Sequence, residues 1–258
     1  MTEEKQDTKS PIEKMAQISE QDVIKNLLKN LPPLDEVAVE LPSKNKFYAL
    51  EDPAKPVTVR PMTFDDEKSM MSNKNINVDI LNNLLGRCVS NVKVDQLLQM
   101  DKLFLIMKLR EISYGDEYNA TINCTSCKRD SHITFTLHDL PVTYLEDDAT
   151  NPIEVYLPVL KKTAKVRRPR VADESYFNNA EYALENLWRF VEEIEGCAQA
   201  TVISKVIPKL PLKDAHLLIN ALSSNQYGID TEVRFVCDYC GQNEVMELPI
   251  TADFFTEN

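Results

Sequence analysis

Cys124-Thr125-Ser126-Cys127 and Cys237-Asp238-Tyr239-Cys240 are the two stretches on which the fold of this chain turns. Each follows a β-like run, Tyr118 to Ile122 and Thr231 to Val236, and each is followed by another. Thiolates two residues apart on a tight turn reach one metal ion, and four of them complete a tetrahedral shell. The pairs lie 113 positions apart (237 − 124), so they form no local finger. An ion held by Cys124, Cys127, Cys237 and Cys240 would therefore join distant halves of the chain, and a structural Zn²⁺ is the expected occupant. An iron–sulfur cluster also takes four thiolates. A redox CxxC would instead open a helix beside a βαβ pattern, whereas both motifs here sit between strands. Cys88 and Cys197 fall on helix-like stretches and read as apolar core residues. His132 lies near enough to the first pair to serve as a spare ligand.

The bulk properties set the frame. At 258 residues the chain has ample length to bury a core, and its 43% hydrophobic content is ordinary for a globular protein. No apolar run approaches the roughly 18 residues of a bilayer span. Met1 to Ser10 is polar and acidic without an apolar signal core, so an unsecreted chain is expected. In a reducing compartment six cysteines favour metal binding over a disulfide framework. A net charge of -12 opposes broad adhesion to nucleic acid or anionic lipid. The five glycines show no phosphate-cradling spacing, and the three histidines show neither HExxH spacing nor a nucleophile partner. Those absences point away from an enzyme.

Along the chain, residues 1–17 read as mobile, and Ser19 caps a short helix with Val23, Ile24, Leu27, Leu28 and Leu31 on one face, stopped by Pro32-Pro33. That helix packs on its own domain or forms an arm that docks on a partner. Phe47 to Leu50 and Val57 to Arg60 read as a β-hairpin, and Thr63 caps the helix that follows. After a polar gap at Ser72 to Asn77 comes a helix through Leu84 and Leu85. Val94 to Ile112 is the strongest helical pattern in the chain, ending at Tyr114-Gly115. Beyond the acidic stretch Glu146 to Asn151, strands at 154–160 and 163–168 precede a helical region with Trp188 and Phe190. A helix over 213–223 then ends near Tyr227-Gly228. Trp188 with Tyr182, Leu184, Leu187 and Phe190 reads as core, and Glu192, Glu193 and Glu195 as a solvated helix face.

The same order thus occurs twice. Tyr114 precedes Cys124 by ten residues, as Tyr227 precedes Cys237. At the offset of 113, Asp101, Leu105, Ile106 and Leu109 match Asp214, Leu218, Ile219 and Leu222. Upstream the offset is 108, matching Tyr48 to Tyr156, Pro61 to Pro169 and Asp65 to Asp173. The expected fold is α+β, with two pseudo-repeats (β-hairpin, helices, zinc-knuckle hairpin) joined by the shared four-cysteine metal site. The division is an N-terminal extension at 1–45, a first repeat at 46–140, an acidic linker at 141–153, a second repeat at 154–250 and a tail at 251–258.

One basic patch stands out in the acidic chain: Lys161, Lys162, Lys165, Arg167, Arg168 and Arg170. Its ordinary reading is a solvated hairpin edge that blocks unwanted strand pairing. It is also the candidate contact for a partner, and it supports the alternative function of a zinc-stabilised nucleic-acid-binding module.

Three segments resemble the baseplate-hub family of T-even-like contractile-tailed bacteriophages. They are Val59-Arg60-Pro61-Met62-Thr63-Phe64-Asp65-Asp66-Glu67, then Leu109-Arg110-Glu111-Ile112-Ser113-Tyr114-Gly115, then the CxxC directly downstream. The resemblance covers most of residues 46–250. It implies a non-enzymatic tail protein for hub assembly, retained in the virion or acting as a chaperone in the host cytoplasm. It also implies other tail proteins as partners, including the tape-measure protein, with no catalytic residue carried over.

Overall fold

The alternating β-branched run Val57-Thr58-Val59 buries its two valines and turns Thr58 outward, the pattern of a strand at the centre of a half-buried sheet. The computed structural model describes residues 20–29, 34–71, 78–177, 184–223, 227–248, 250 and 252–255. The chain divides into two units, Met1–Asp35 and Glu36–Asn258. In the first, helix α1 (Glu20–Leu28) carries Val23, Ile24, Leu27 and Leu28 as exposed side chains. Residues 1–17, Ser19, Leu31, Pro32, Pro33, the gap 72–77 and Tyr182 lie outside the described residues.

In the second unit, β1 (Val37–Val39), β2 (Val57–Val59) and β3 (Val89–Ser90) form an antiparallel sheet in that order, with helices α2 (Phe64–Met71) and α3 (Val78–Cys88) between β2 and β3. The hairpin partner of β2 is therefore Val37–Val39, inside the stretch expected as an extension, and not Phe47–Leu50. Lys44, Asn45 and Phe47 adopt positive φ, which excludes an extended run there, and the Tyr48 hydroxyl is drawn inward to Asp101 at 2.9 Å. Thr63 and Asp66 cap α2 reciprocally: Thr63 N–H donates to Asp66 Oδ2 (2.9 Å) and Asp66 N–H to Thr63 Oγ1 (3.3 Å). Arg60 Nη1 donates to the same Oδ2 at 2.8 Å, and Asp66 is fully buried.

A second antiparallel sheet has the same layout: β7 (Ile153–Leu157), β8 (Lys162–Val166) and β9 (Val191–Ile194), in that order. Arg167 Nη1 donates to Asp173 Oδ2 at 2.6 Å, and Arg170 N–H donates to that oxygen at 2.9 Å. Arg60 N–H reaches Cys88 O (2.9 Å) as Arg167 N–H reaches Phe190 O (2.8 Å). These like bonds lie 107 positions apart (167 − 60, 173 − 66 and 170 − 63), and Asp66 rather than Asp65 makes the kind of bonds that Asp173 makes. Asp65 instead makes an exposed pair with Arg87.

The expected helix from Val94 divides into a 3₁₀ turn (Val94–Gln96) and α4 (Gln99–Tyr114). At the break Leu97 O accepts Val171 N–H (2.9 Å), Leu98 bridges Arg170 and Gln99 N–H reaches Pro169 O (3.4 Å). The chain leaves helical geometry there because these distant backbone groups take up the hydrogen bonds. Asp101, in the first turn of α4, accepts the Ser43 N–H at 2.9 Å. After α5 (Ala200–Val206), Asp214 sits in the first turn of α6 (Leu212–Ser223) and accepts the N–H groups of Val159 (3.0 Å) and Leu160 (2.8 Å). Each carboxylate thus joins a helix to the loop between the first two strands of its sheet. Leu105 and Leu109 of α4 are fully buried, each contributing about 1.5–3 kcal/mol by removal from water.

The central core reaches across the sequence, from Val57 and Leu105 to Val233, Phe254 and Phe255. Phe254 and Phe255, in the expected tail, are fully buried with rings edge to face at 5.2 Å. A second cluster gathers Leu157, Val166, Phe190 and Leu218. Short strands β6 (Val142–Thr143) and β10 (Gly228–Ile229) pair over α4. At Gly228, φ is +121° and an added Cβ would meet Met100 Cβ at 3.0 Å, so glycine is required. Leu184 is exposed although the pattern placed it in the core. Glu192 and Glu193 lie on β9 rather than on a helix, because Val191, Glu193 and Ile194 pair with β8 and Glu192 sits at the bulge between them. Cys197 follows a turn and is half-buried, and Cys88 is buried at the end of α3. No described helix is long and apolar enough to cross a membrane.

Burial raises the Asp66 carboxyl, but the Arg60 guanidinium and the Thr63 donors outweigh it and hold the group near 2. A carboxylate depressed in this way contributes stability that is whole above its unfolded value of about 3.9 and is lost as pH falls toward about 2. The Asp66→Ala variant, which strands Arg60, is expected to lose about 3–5 kcal/mol at neutral pH. The loss should shrink below pH about 4, as urea unfolding across pH would read.

Candidate metal centre

Alternation along β4 (Glu117–Asn123) and β5 (Asp130–Thr136) turns Tyr118, Ala120, Ile133 and Phe135 toward the core and polar residues outward. β11 (Glu232–Val236) and β12 (Asn243–Glu247) do the same with Val233 and Met246. Both hairpins are antiparallel, and each ends in a CxxC turn. In the first turn Cys124 N–H donates to Arg129 O (2.9 Å) and Lys128 N–H to Cys124 O (3.0 Å). In the second, Cys237 N–H donates to Gln242 O and Gly241 N–H to Cys237 O, both at 2.9 Å. Lys128 (φ 60°) and Gly241 (φ 69°) occupy the same left-handed position. These bonds fold each CxxC so that its two sulfurs point one way.

The sulfurs of Cys124, Cys127, Cys237 and Cys240 all lie within 4.8 Å of one another. Across the hairpins, Cys124 Sγ is 3.7 Å from Cys240 Sγ, and Cys127 Sγ is 3.7 Å from Cys237 Sγ. A tetrahedral ion with thiolates at about 2.3 Å needs sulfur–sulfur edges of about 3.8 Å, so the donor set fits one metal ion. A multi-iron cluster places several atoms between the thiolates and needs them wider apart. Four protein donors fill the tetrahedron and leave no position for a substrate. Cys124 and Cys237 are buried, Cys127 is half-buried and Cys240 is exposed, so the site faces inward with one edge at the surface.

Two side chains that the sequence reading did not single out cross between the hairpins. Ser131 Oγ donates to Cys237 Sγ at 3.4 Å. Glu244 Oε1 lies 3.2 Å from Cys124 Sγ and accepts Thr125 Oγ1–H (2.7 Å) and Thr125 N–H (3.1 Å). Ser131 and Glu244 are themselves 113 positions apart (244 − 131), each the fourth residue after its second cysteine. Each therefore reaches the first cysteine of the opposite hairpin. The offset was a usable signal, although serine and glutamate do not look alike. The Ser131 hydroxyl and the N–H groups of Tyr239 and Cys240 hold the Cys237 thiol down to about 6, whereas the Cys124 and Cys240 thiols are raised. The Thr125 hydroxyl lowers Glu244. Arg129 stacks over the Tyr239 ring at 5.2 Å, a further link between hairpins. His132 is not among the clustered donors; its Nδ1 is 2.9 Å from Thr121 Oγ1 on its own hairpin.

The six basic residues have mostly local company. Lys162 pairs with Glu195 (3.4 Å), Lys165 with Glu193 (3.0 Å) and Arg167 with Asp173. Arg170 donates to Gln96 Oε1 (2.5 Å) and Phe47 O (2.7 Å), while Arg168 is buried beside Tyr227 and Phe47. Lys161 sits at the β7–β8 turn with φ 55°.

Residues 34–256 match the model of a family described as T4 bacteriophage base plate protein. No curated protein and no solved structure matches the chain.

Outer groups that hold metal-binding side chains typically account for about 10–100-fold in affinity. Ser131→Ala and Glu244→Ala are each expected to weaken metal binding by about that factor, read by competition with a chromophoric chelator. Unchanged affinity in both variants would assign these bonds to hairpin packing alone.

Proposed function

The chain belongs to the family of T4 bacteriophage base plate proteins, and from that premise we propose that it acts without catalysis in assembling the baseplate hub. It serves as a hub subunit or as an assembly chaperone, through contacts with other tail proteins, the tape-measure protein among them. Its place is the tail baseplate of the virion, or the host cytoplasm during assembly. The observation that carries this reading is the four-sulfur cluster, which joins two hairpins 113 positions apart and leaves no open coordination position. Such a centre holds surfaces in place rather than turning over a substrate.

In this reading the ion is Zn²⁺, held by Cys124, Cys127, Cys237 and Cys240, and it fastens two copies of one ancestral unit. Support for the duplication comes from the paired sheets, the Arg60–Asp66 and Arg167–Asp173 bonds, the carboxylates Asp101 and Asp214, and the crossed contacts of Ser131 and Glu244. The copies span about 46–140 and 154–250 with the linker 141–153 between them; the first also takes in β1, upstream of position 46. Lys161, Lys162 and Lys165 are the part of the basic patch offered to a partner. Nucleic acid is less well served, since Arg167 and Arg170 are engaged within the fold and Arg168 is buried.

Two measurements test the reading. Elemental analysis of the purified chain is expected to find about one zinc per chain, and none after all four cysteines are changed to serine; a metal-free wild type overturns the zinc centre. Mass spectrometry of purified particles and of infected-cell lysate is expected to find the chain cross-linked to tail proteins. Presence in particles assigns a hub subunit and presence in lysate alone assigns a chaperone, whereas an absence of tail proteins among its cross-links overturns the assembly role.

A further inference from the structure

Arg168 is a buried cation without an anion among the described residues. Only 6% of its surface is exposed, and its Nε has no hydrogen-bond partner. The rest of the guanidinium makes no hydrogen bond or ion pair with any described residue. Its neighbours are the rings of Tyr227 (5.5 Å) and Phe47 (6.0 Å). Its backbone N–H is held by Asn151 Oδ1 at 2.9 Å. An unpaired buried charge is costly and is ordinarily matched by an opposite one. Burial accordingly lowers the Arg168 pKa. Arg167, one residue earlier, has Asp173, so the contrast lies in the site and not in the residue type.

Arg168 also lines an open cavity of about 460 Å³ together with Leu145, Glu146, Asp148, Ala149, Thr150 and Ile153. The segment that covers it is pinned: Lys44 Nζ donates to Asp147 Oδ1, and Lys46 Nζ donates to the carbonyls of Glu146 and Asp147, all at 2.7 Å. Leu145 N–H donates to Pro42 O at 2.8 Å. The cavity therefore has an apolar wall at Leu145, Ala149 and Ile153, with Thr150 and Arg168 also in its lining.

We propose that this cavity takes one aliphatic carboxylate, the side chain of a glutamate or aspartate borne by a partner protein, which pairs with the Arg168 guanidinium. A guanidinium presents its donors in a fork that matches a carboxylate. Glu146 and Asp148 at the rim repel a multiply charged anion such as phosphate more than a singly charged acid. The apolar wall accommodates the methylene stem of such a side chain. Only the protein origin of the carboxylate rests on the assembly role proposed above.

The test uses the full chain with three probes: propionate, inorganic phosphate and the blocked peptide acetyl-Ala-Glu-Ala-amide. The readout is the Arg168 Nε–H resonance, assigned by its loss in Arg168→Met. Saturable shifts are expected with propionate and with the peptide, the peptide binding more tightly and phosphate at least about tenfold more weakly. In Arg168→Met the stabilisation of the fold by propionate, read as a rise in Tm, should vanish. Should that variant fail to fold, Ala149→Trp, which fills the cavity beside Arg168, is expected to abolish the shifts in a folded chain. No saturable shift with any probe, phosphate binding as tightly as propionate, or binding that survives Ala149→Trp overturns the carboxylate site. Propionate binding more tightly than the peptide overturns the partner side chain as its source. Because the probes are short and the chain is isolated, failure here leaves the cross-linking result of the assembly role untouched.

Discussion

Two-stranded hairpins are marginal in water, and this protein ends each half of its chain in one. What gives those hairpins a fixed place is the meeting of their tips, where four sulfurs from positions 113 residues apart come within 4.8 Å. The inner faces of the same strands carry Tyr118, Phe135, Val233 and Met246 into the central core, so sulfur cluster and apolar packing act on the same elements. Ser131 and Glu244 tie each hairpin to the opposite turn with polar bonds that do not depend on an ion. The rest of the fold is arranged behind this junction.

Behind it, buried carboxylates perform one task repeatedly. Asp66 and Asp173 each hold an arginine and the N–H of a residue three earlier, closing the turn that follows a central strand. Asp101 and Asp214 each begin a helix and accept N–H groups from a loop between strands. A carboxylate suits both places because it accepts several hydrogen bonds at once and complements the positive end of a helix. Each of these four residues is buried, yet each has donors around it. Arg168 is the exception: it is buried as deeply as Asp173 but lines a cavity and has no counter-ion among the described residues.

The halves also meet through backbone. Leu97 and Leu98 give up helical geometry, and with Gln99 they bond Val171, Arg170 and Pro169; the Lys102–Glu174 pair (2.6 Å) adds an ion pair between the same two stretches. A body fastened at the sulfur cluster, at this backbone crossing and at the β6–β10 pair presents its surfaces in fixed relation.

The sequence by itself determined the strand-flanked CxxC pairs, the helical runs that contain Asp101 and Asp214, and the spacing from Tyr114 and Tyr227 to the knuckles. All are local patterns, legible because hydrophobic period, turn chemistry and ligand spacing are set by neighbours in the chain. Tertiary structure alone decided that β2 pairs with Val37–Val39, that the long helical pattern breaks at Leu98, and that Glu193 joins a strand. In each case a distant backbone group supplied the hydrogen bond, and local propensity had no knowledge of it. The basic patch shows the same division. Composition marked six cations, but only the folded chain paired Arg167, engaged Arg170 and left Arg168 buried against an open cavity, because counter-ions are chosen by position in space and not by order along the sequence.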